Sequence, residues 1–305
     1  MRVLVTGATG FVGSAVVRAL HAAGHEVHGL ARDPVRAAAG APEGVALHRG
    51  DMLDPGSYVP LVADVDAVVH AAQLAVPGRL TPARSRQLFD ADALMTAALA
   101  DACVEHGRRL VYTGGCFDWG DHGDAWIDER TPLTPSPMGV GHARQAGYLD
   151  RRHRSDGLDV VRLSPGFVYG PGGLFASAFV DQARAGRLRC IGRGRNWWSC
   201  VQVDDLAAAY LAAITRAPAG SSYAVVDDEP LRLRELTDLT TDALGTARVG
   251  TAPPALISLF LGRTLVSSLV TSFRIDGARI REDLGWTPAH PRFRDTVAGT
   301  VAAMR

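Results

Sequence analysis

The sequence predicts an α/β fold: a doubly wound parallel sheet with a small, partly interleaved C-terminal lobe. Three observations carry this. Short Val- and Leu-rich runs alternate with amphipathic stretches through the first half of the 305 residues, the pattern of a parallel sheet with helices on both faces. A glycine-rich turn, Gly7 to Gly13, joins the first strand run to the first helical run. Beyond Pro171-Gly172-Gly173 the alternation breaks up, and the second lobe is expected there.

Taken in order, the runs Arg2–Val5, Glu26–Leu30, Val45–His48, Ala67–His70, Leu110–Tyr112 and Asp159–Leu163 read as buried strands. Helical patterns between them include Gly13–Ala23, Ser85–His106 and Gly139–Arg154. Right-handed crossovers then place the strands' carboxyl ends along one edge, where ligands bind. The second half predicts a helix near Phe175–Ala185 and a strand–helix unit near Val201–Thr215. Further helices are expected near Leu233–Ala243, Leu256–Val270 and Asp276–Leu284, with no repeat or low-complexity tract.

Composition narrows the function. Hydrophobic residues make up 47% and charged residues 21%, and 32 basic residues cancel 32 acidic ones. A neutral chain has no broad electrostatic reason to seek nucleic acid or an anionic membrane. All the basic residues are Arg; the chain has no Lys. That excludes a Schiff-base lysine, a phosphate-loop lysine and any lysine that tunes a catalytic tyrosine. Cys103, Cys116, Cys190 and Cys200 form no C-x-x-C pair, so neither a disulfide framework nor a metal site is expected. The most apolar stretch, Pro254 to Val270, is interrupted by Arg263 and too short to span a bilayer. No charged-then-apolar leader precedes Arg2-Val3-Leu4-Val5, which makes the cytoplasm the expected location.

The glycine turn points to a ligand. Thr6-Gly7-Ala8-Thr9-Gly10-Phe11-Val12-Gly13 follows a strand and opens a helix. A dinucleotide pyrophosphate needs this shape: one Gly for the tight turn, one for close backbone approach, one for helix–strand packing. Free N–H groups at the helix start then hold the negative charge. The second strand ends Leu30-Ala31-Arg32-Asp33. Ala31 stands where an acidic residue would bind the ribose hydroxyls, and Arg32 is placed to meet a 2′-phosphate. That favours NADP over NAD. Residues 1–170 are therefore expected to form a Rossmann-type dinucleotide-binding domain, with part of 198–226 returning to it. Residues 171–305 are expected to form mainly a substrate lobe.

With Gly50-Asp51-Met52, Val69-His70-Ala71-Ala72, Pro165-Gly166-Phe167-Val168-Tyr169-Gly170-Pro171 and Val203-Asp204-Asp205-Leu206-Ala207 in this order, the chain resembles an extended short-chain dehydrogenase/reductase. The type is NAD-dependent epimerase/dehydratase, and the resemblance runs to about residue 290. It implies cofactor contacts from Gly7, Thr9, Gly10, Phe11, Val12 and Gly13, and adenine contacts at Asp51 and Met52. It also implies ribose and nicotinamide contacts at Ala71, Ala72 and Gln73, and nicotinamide-end contacts from Pro165, Gly166, Phe167 and Val168.

The same resemblance implies a Ser or Thr past the fifth strand and a Y-x-x-x-K on the next helix. Neither is here. The hydroxyl position falls on Gly115, Met138 stands in place of Tyr, and His142 in place of Lys. His142 is then a proton donor, a ribose-hydroxyl anchor or a space filler. The positive end of the helix dipole disfavours imidazolium in a first turn, which favours the anchor over the donor. Tyr148 is on the same helix but ten residues beyond Met138, ~15 Å along the axis. Thr113 and Tyr169 are the remaining catalytic candidates; Cys116, Asp118, Asp121 and His122 are weaker ones. Trp197 and Trp198 either wall an aromatic or polycyclic substrate or belong to the core, and Asp204 and Asp205 are expected to cap a helix.

The expectation is an NADP(H)-dependent oxidoreductase acting on a small metabolite by a non-standard proton path. A redox-neutral cyclase, isomerase or lyase on the same scaffold stays open, as does a non-catalytic NADP-binding sensor.

Overall fold

The computed structural model describes every residue except Pro77 and Arg305. Seven strands form one parallel sheet: β1 Arg2–Thr6, β2 Glu26–Ala31, β3 Ala46–Arg49, β4 Ala67–His70, β5 Arg109–Thr113, β6 Val160–Pro165 and β7 Ser222–Val225. Their order across the sheet is β7-β6-β5-β4-β1-β2-β3. Val3 pairs with Val27 on one side and Ala67 on the other. The connections therefore reverse direction between β1 and β4, the crevice where such sheets take ligands. Central strands read as unbroken apolar runs because helices cover both faces; all four residues of β4 are buried.

Four helices pack on the sheet: α1 Phe11–Ala22, α2 Pro82–His106, α3 Val140–Asp156 and α4 Val203–Arg216. α2 starts where Thr81 Oγ1 accepts the Arg84 N–H at 3.3 Å, with Pro82 at the first position. α2 and α3 both stop at a left-handed glycine, Gly107 and Gly157. One face of the sheet buries Val16, Leu20, Leu206 and Tyr210; the other buries Leu99, Cys103, Tyr112 and Leu149. A third core gathers Tyr169, Phe175, Phe179, Trp198, Phe273 and Phe293 with Cys116, Trp119 and Ile127. Short two-stranded ladders lie outside the main sheet, among them Phe167–Tyr169 with Cys200–Gln202 and Trp126–Ile127 with Arg274–Ile275.

The structure departs from the sequence expectations at three places. The helix expected over Leu256–Val270 is two, Pro254–Leu261 and Arg263–Leu269. Gly262 separates them at φ +95°, and a side chain there would lie 2.2 Å from the Leu80 carbonyl oxygen. The helix near Phe175 opens as six π-wound residues, Phe175–Val180, before Asp181–Arg184. Asp204 and Asp205 do not cap α4. Gln202 does so, its Oε1 accepting both their N–H groups. Asp205 instead binds the tail: its carboxylate accepts Ala289 N–H at 2.8 Å and His290 N–H at 2.9 Å, and its carbonyl accepts Trp286 Nε1–H at 3.0 Å. No described helix is long and apolar enough to cross a membrane.

Asp205 is buried, and Asp205→Ala takes away the acceptor of two part-buried N–H groups and of the His290 ring. The expected loss is about 2–4 kcal/mol of stability, read by urea unfolding. A loss under ~0.5 kcal/mol would mean the tail is held by Trp286 packing alone.

Candidate functional site

The glycine turn is shaped by what its missing side chains allow. Gly7 sits at φ +69°, and a Cβ there would come within 2.8 Å of the Ala71 carbonyl oxygen. The turn thus lies directly on the end of β4. A Cβ on Gly13 would stand 2.0 Å from the Gly7 carbonyl oxygen, so α1 is seated against the turn it follows. Gly10 differs: a Cβ there meets only Gly7 O, at 3.2 Å. Its bareness is not needed for packing, which leaves close approach of a ligand.

A cavity of about 440 Å³ runs from this turn along the carboxyl edge. Gly7, Thr9, Gly10, Phe11, Val12, Gly13, Arg32, Asp51, Met52, Ala71, Ala72 and Gln73 line it. Leu53, Leu74, Ala75 and Met95, which the sequence did not single out, line it too. Pro165, Gly166, Phe167, Val168 and His142 are not in its lining. The Phe167 ring is in the third core, 4.8 Å from the Trp198 ring, and a Cβ on Gly166 would strike Ser199 O at 2.3 Å. A second space of about 790 Å³ adjoins the first across Thr9, Ala31 and Arg32, with Arg18 and Arg36 on its walls. Asp33 does not neutralise Arg32 as a neighbour would; its Oδ1 accepts Arg36 N–H at 3.1 Å and caps the helix Pro34–Ala38.

Beyond the cleft, the structure pairs His142 with Asp118. His142 stands in the first turn of α3, and its Nδ1 lies 3.8 Å from Asp118 Oδ1. A Cβ on Gly115 would be 3.2 Å from the same Nδ1. The imidazole therefore fills the volume that a Ser or Thr side chain at 115 would need, so the two replacements fit each other. Met138 is fixed through its backbone, its N–H donating to Ser268 Oγ at 3.0 Å.

Asp118 is 3% exposed, and burial pushes its carboxyl up to about 7 despite the nearby imidazole. Deeper in, the Tyr112 hydroxyl donates to Asp92 at 3.2 Å, and burial also raises Asp92. His70 is held neutral by burial, its pKa pushed down to about 4, and its Nδ1 bonds Thr6 Oγ1 at 2.9 Å. Sequence reasoning underrated Asp118, five positions past the fifth strand. The signal was its place four residues before His122 on the ligand edge; its burial against His142 needs the fold.

The other catalytic candidates are occupied. Thr113 Oγ1 donates to His70 O at 2.7 Å and shares a 2.5 Å hydrogen bond with the Tyr210 hydroxyl. Tyr169 is fully buried, bonds Thr296 Oγ1 at 2.6 Å, and burial raises its phenol far above the ordinary value. The Cys116 thiol is likewise pushed far up by burial, so it is no thiolate. Trp198 is core, and Trp197 lies under the Arg232 guanidinium, 3.7 Å from the ring centre. The pair does not wall the cleft, which removes the argument for an aromatic substrate.

Residues 3–226 match the NAD dependent epimerase/dehydratase family. The chain belongs to this family. It is similar to the 3-diazoavenalumate denitrifying reductase of a Streptomyces species, 33% identical over 97% of this chain and 98% of that protein. It is also similar to the 2-alkyl-3-oxoalkanoate reductase of Stenotrophomonas maltophilia, 31% identical over 83% of this chain and 78% of that one. Among solved structures, UDP-glucose 4-epimerase of Thermus thermophilus in complex with NAD superposes at a TM-score of 0.84, with 26% identity, covering 100% and 99% of the two chains. Relatives named as reductases support the reading of this family member as an enzyme of oxidoreductase type.

Gly10→Val is expected to abolish dinucleotide binding while leaving thermal stability near that of the parent, because its Cβ meets only one protein atom, at 3.2 Å. Calorimetric titration beside a melting curve reads both; retained binding would move the pyrophosphate elsewhere.

A second expectation follows from Asp118. Its folded pKa lies above the unfolded value of about 3.9, so its contribution to stability is fully present below pH ~4 and is lost as pH rises through 7. Asp118→Asn should therefore gain on the parent in melting temperature as pH rises from 4 to 7. A constant difference across that window would mean that Asp118 ionises normally.

Proposed function

We propose that this protein is an NADP(H)-dependent reductase of ketones on small organic metabolites, with His142 as the proton donor. The observation that carries the reading is a cleft lined by the Gly7–Gly13 turn, Arg32, Asp51 and Ala71 to Gln73, together with a histidine in the volume that a hydroxyl side chain at 115 would need. The cleft fits the cofactor: the Gly7–Gly13 turn bares backbone N–H groups at the start of α1, where a pyrophosphate is held without a lysine. Bound there, the dinucleotide would supply the hydride. Arg32 and Arg36 sit on the side where a 2′-phosphate would extend the adenosine ribose. The NAD complex of the Thermus epimerase and the oxoalkanoate reductase from Stenotrophomonas support a nicotinamide cofactor and a ketone.

A ketone gains a hydride at carbon and needs a proton at oxygen. The usual phenol is absent; Met138 offers no proton. His142 is the titratable group at that place, with Asp118 Oδ1 3.8 Å from its Nδ1. This reverses the preference for a purely anchoring role. Ala71 to Gln73 and the Gly114-Gly115 backbone would then flank the reacting carbonyl, while residues 171–305 form mainly the substrate lobe. A small metabolite is the partner in this reading, and the cytoplasm its place, in keeping with the balanced charge.

The test is anaerobic incubation with NADPH and 2-alkyl-3-oxo acids, following nicotinamide absorbance and product mass. Alcohol formed in step with cofactor consumption is expected, with NADPH bound more tightly than NADH. Arg32→Ala should remove most of that preference, since a charged hydrogen bond contributes ~1.5–3 kcal/mol. Product without cofactor consumption would make the enzyme redox-neutral. Neither product nor consumption would leave a nucleotide-binding protein.

A further inference from the structure

Asp118 also lines a separate cavity of about 220 Å³, which shares no lining residue with the cleft. Strands β5 and β6, helix α3 and the segment 129–133 enclose it. Its walls carry Tyr112, Asp118, Trp119, Asp150, Arg162 and Ser164. Asp150 pairs with Arg162 at 2.8 Å, and its side chain is one-third exposed; Leu133 on the same rim is exposed. The outer end therefore reaches solvent. Two buried polar atoms of its lining residues have no hydrogen-bond partner: Asp118 Oδ1 and Trp119 Nε1. Buried polar groups in folded proteins are bonded, by water where protein is lacking. At ~30 Å³ per water the cavity holds several.

We propose that this cavity is a proton entry separate from the cleft, and that Asp118 passes protons from its water to His142. The proposal rests on the reductase reading and adds its proton supply. The ketone oxygen takes the Nε2 proton of a neutral His142 as Asp118 gives its own to the free Nδ1, 3.8 Å away; an O–H and an Nδ1–H bond form while the Nε2–H and the carboxyl O–H bonds break. The Asp118 carboxylate is reprotonated by cavity water, which draws on bulk solvent through the Asp150 end, and tautomer exchange after product leaves restores Nε2–H. An imidazole accepts at one nitrogen and releases from the other. The reductant throughout is the reduced dinucleotide, so each turnover takes up one proton by this route. Such contacts are commonly long before substrate binds.

The groups facing Asp118 suit a carrier. His142 approaches from α3, Arg162 from β6, Asp92 from α2, and Gly115 N–H donates from its own loop at 3.4 Å. Burial opposes ionisation while His142 and Arg162 favour it, which holds the carboxyl at about 7, where it both keeps and gives up a proton. With no lysine in the chain, the cleft has no ammonium to hold a water file, and a separate entry fills that need.

Four measurements decide it. Asp118→Asn should reduce ketone about 10²-fold more slowly, with cofactor affinity unchanged. Asp118→Ala should recover with added formate, in proportion to its protonated form; a merely structural role gives no such rescue. Ala146→Leu, which plugs the cavity without replacing Asp118 or His142, should slow reduction and enlarge the solvent isotope effect. In the protein without cofactor, the infrared band of the Asp118 carboxyl should titrate at higher pH in His142→Ala, because the ring that favours its ionised form is gone. Parental turnover in Asp118→Asn, slow turnover that formate fails to rescue, or an unmoved infrared titration overturns the proposal. Should the Asp118 variants fail to fold, parental turnover in Ala146→Leu overturns it. If the unaltered protein reduces no ketone, the reductase reading falls, and the infrared titration alone decides the Asp118–His142 coupling.

Discussion

The contact on which this molecule depends is a backbone oxygen resting where Gly13 has no side chain. The Gly7 carbonyl lies 2.0 Å from that position, and Gly7 itself presses on Ala71 and Ala72. Strand β1, the turn, helix α1 and the end of β4 are locked together by atoms that no side chain could replace. Everything at the carboxyl edge inherits its position from that lock. His70, next to Ala71, is held through Thr6 of β1, and Thr113 of β5 is held through His70. The frame of the site is thus passed from strand to strand by short hydrogen bonds, with few degrees of freedom left to the loops.

The region around Asp118 and His142 is built on a different principle. There, ionisable groups are kept dry: Asp92, Asp118 and His70 are all buried. A buried acid weakens the fold unless its charge is matched, so Asp118 beside His142 lowers stability at neutral pH. Natural folds carry such a penalty where it serves chemistry. By contrast, Asp205, also buried, is fully used by two N–H groups and an imidazole. The two aspartates show how partner count separates a structural carboxylate from a poised one.

What the sequence revealed follows the same division. The glycine turn, Arg32, Asp51-Met52 and Ala71 to Gln73 were legible as lining of one cleft because each lies within one strand and its following turn, at fixed spacing. The six expected strands were legible as apolar runs. Strand β7 was less so: Ser222–Val225 is four residues long and owes its place to pairing with β6, not to its own pattern. The split at Gly262 depends on Leu80, far off in the chain, and the tail clamp at Asp205 on residues more than eighty positions away. Trp198 as core rather than wall, and Thr113 and Tyr169 as occupied hydroxyls, likewise needed distant partners. Local chemistry was readable; neighbours brought by tertiary packing were not.

The substitutions at 115, 138 and 142 then look like a set rather than decay. A site that had merely lost function would be free to place any side chain at 115. Here Gly115 leaves 3.2 Å to the imidazole, so serine would crowd His142. Conversely, a lysine at 142 would bring a full charge beside Asp118 and remove the ring that rests edge-on against Tyr112, 6.3 Å between centres. Glycine at 115 and histidine at 142 are thus compatible with each other, and a serine at 115 is not compatible with the place this imidazole takes.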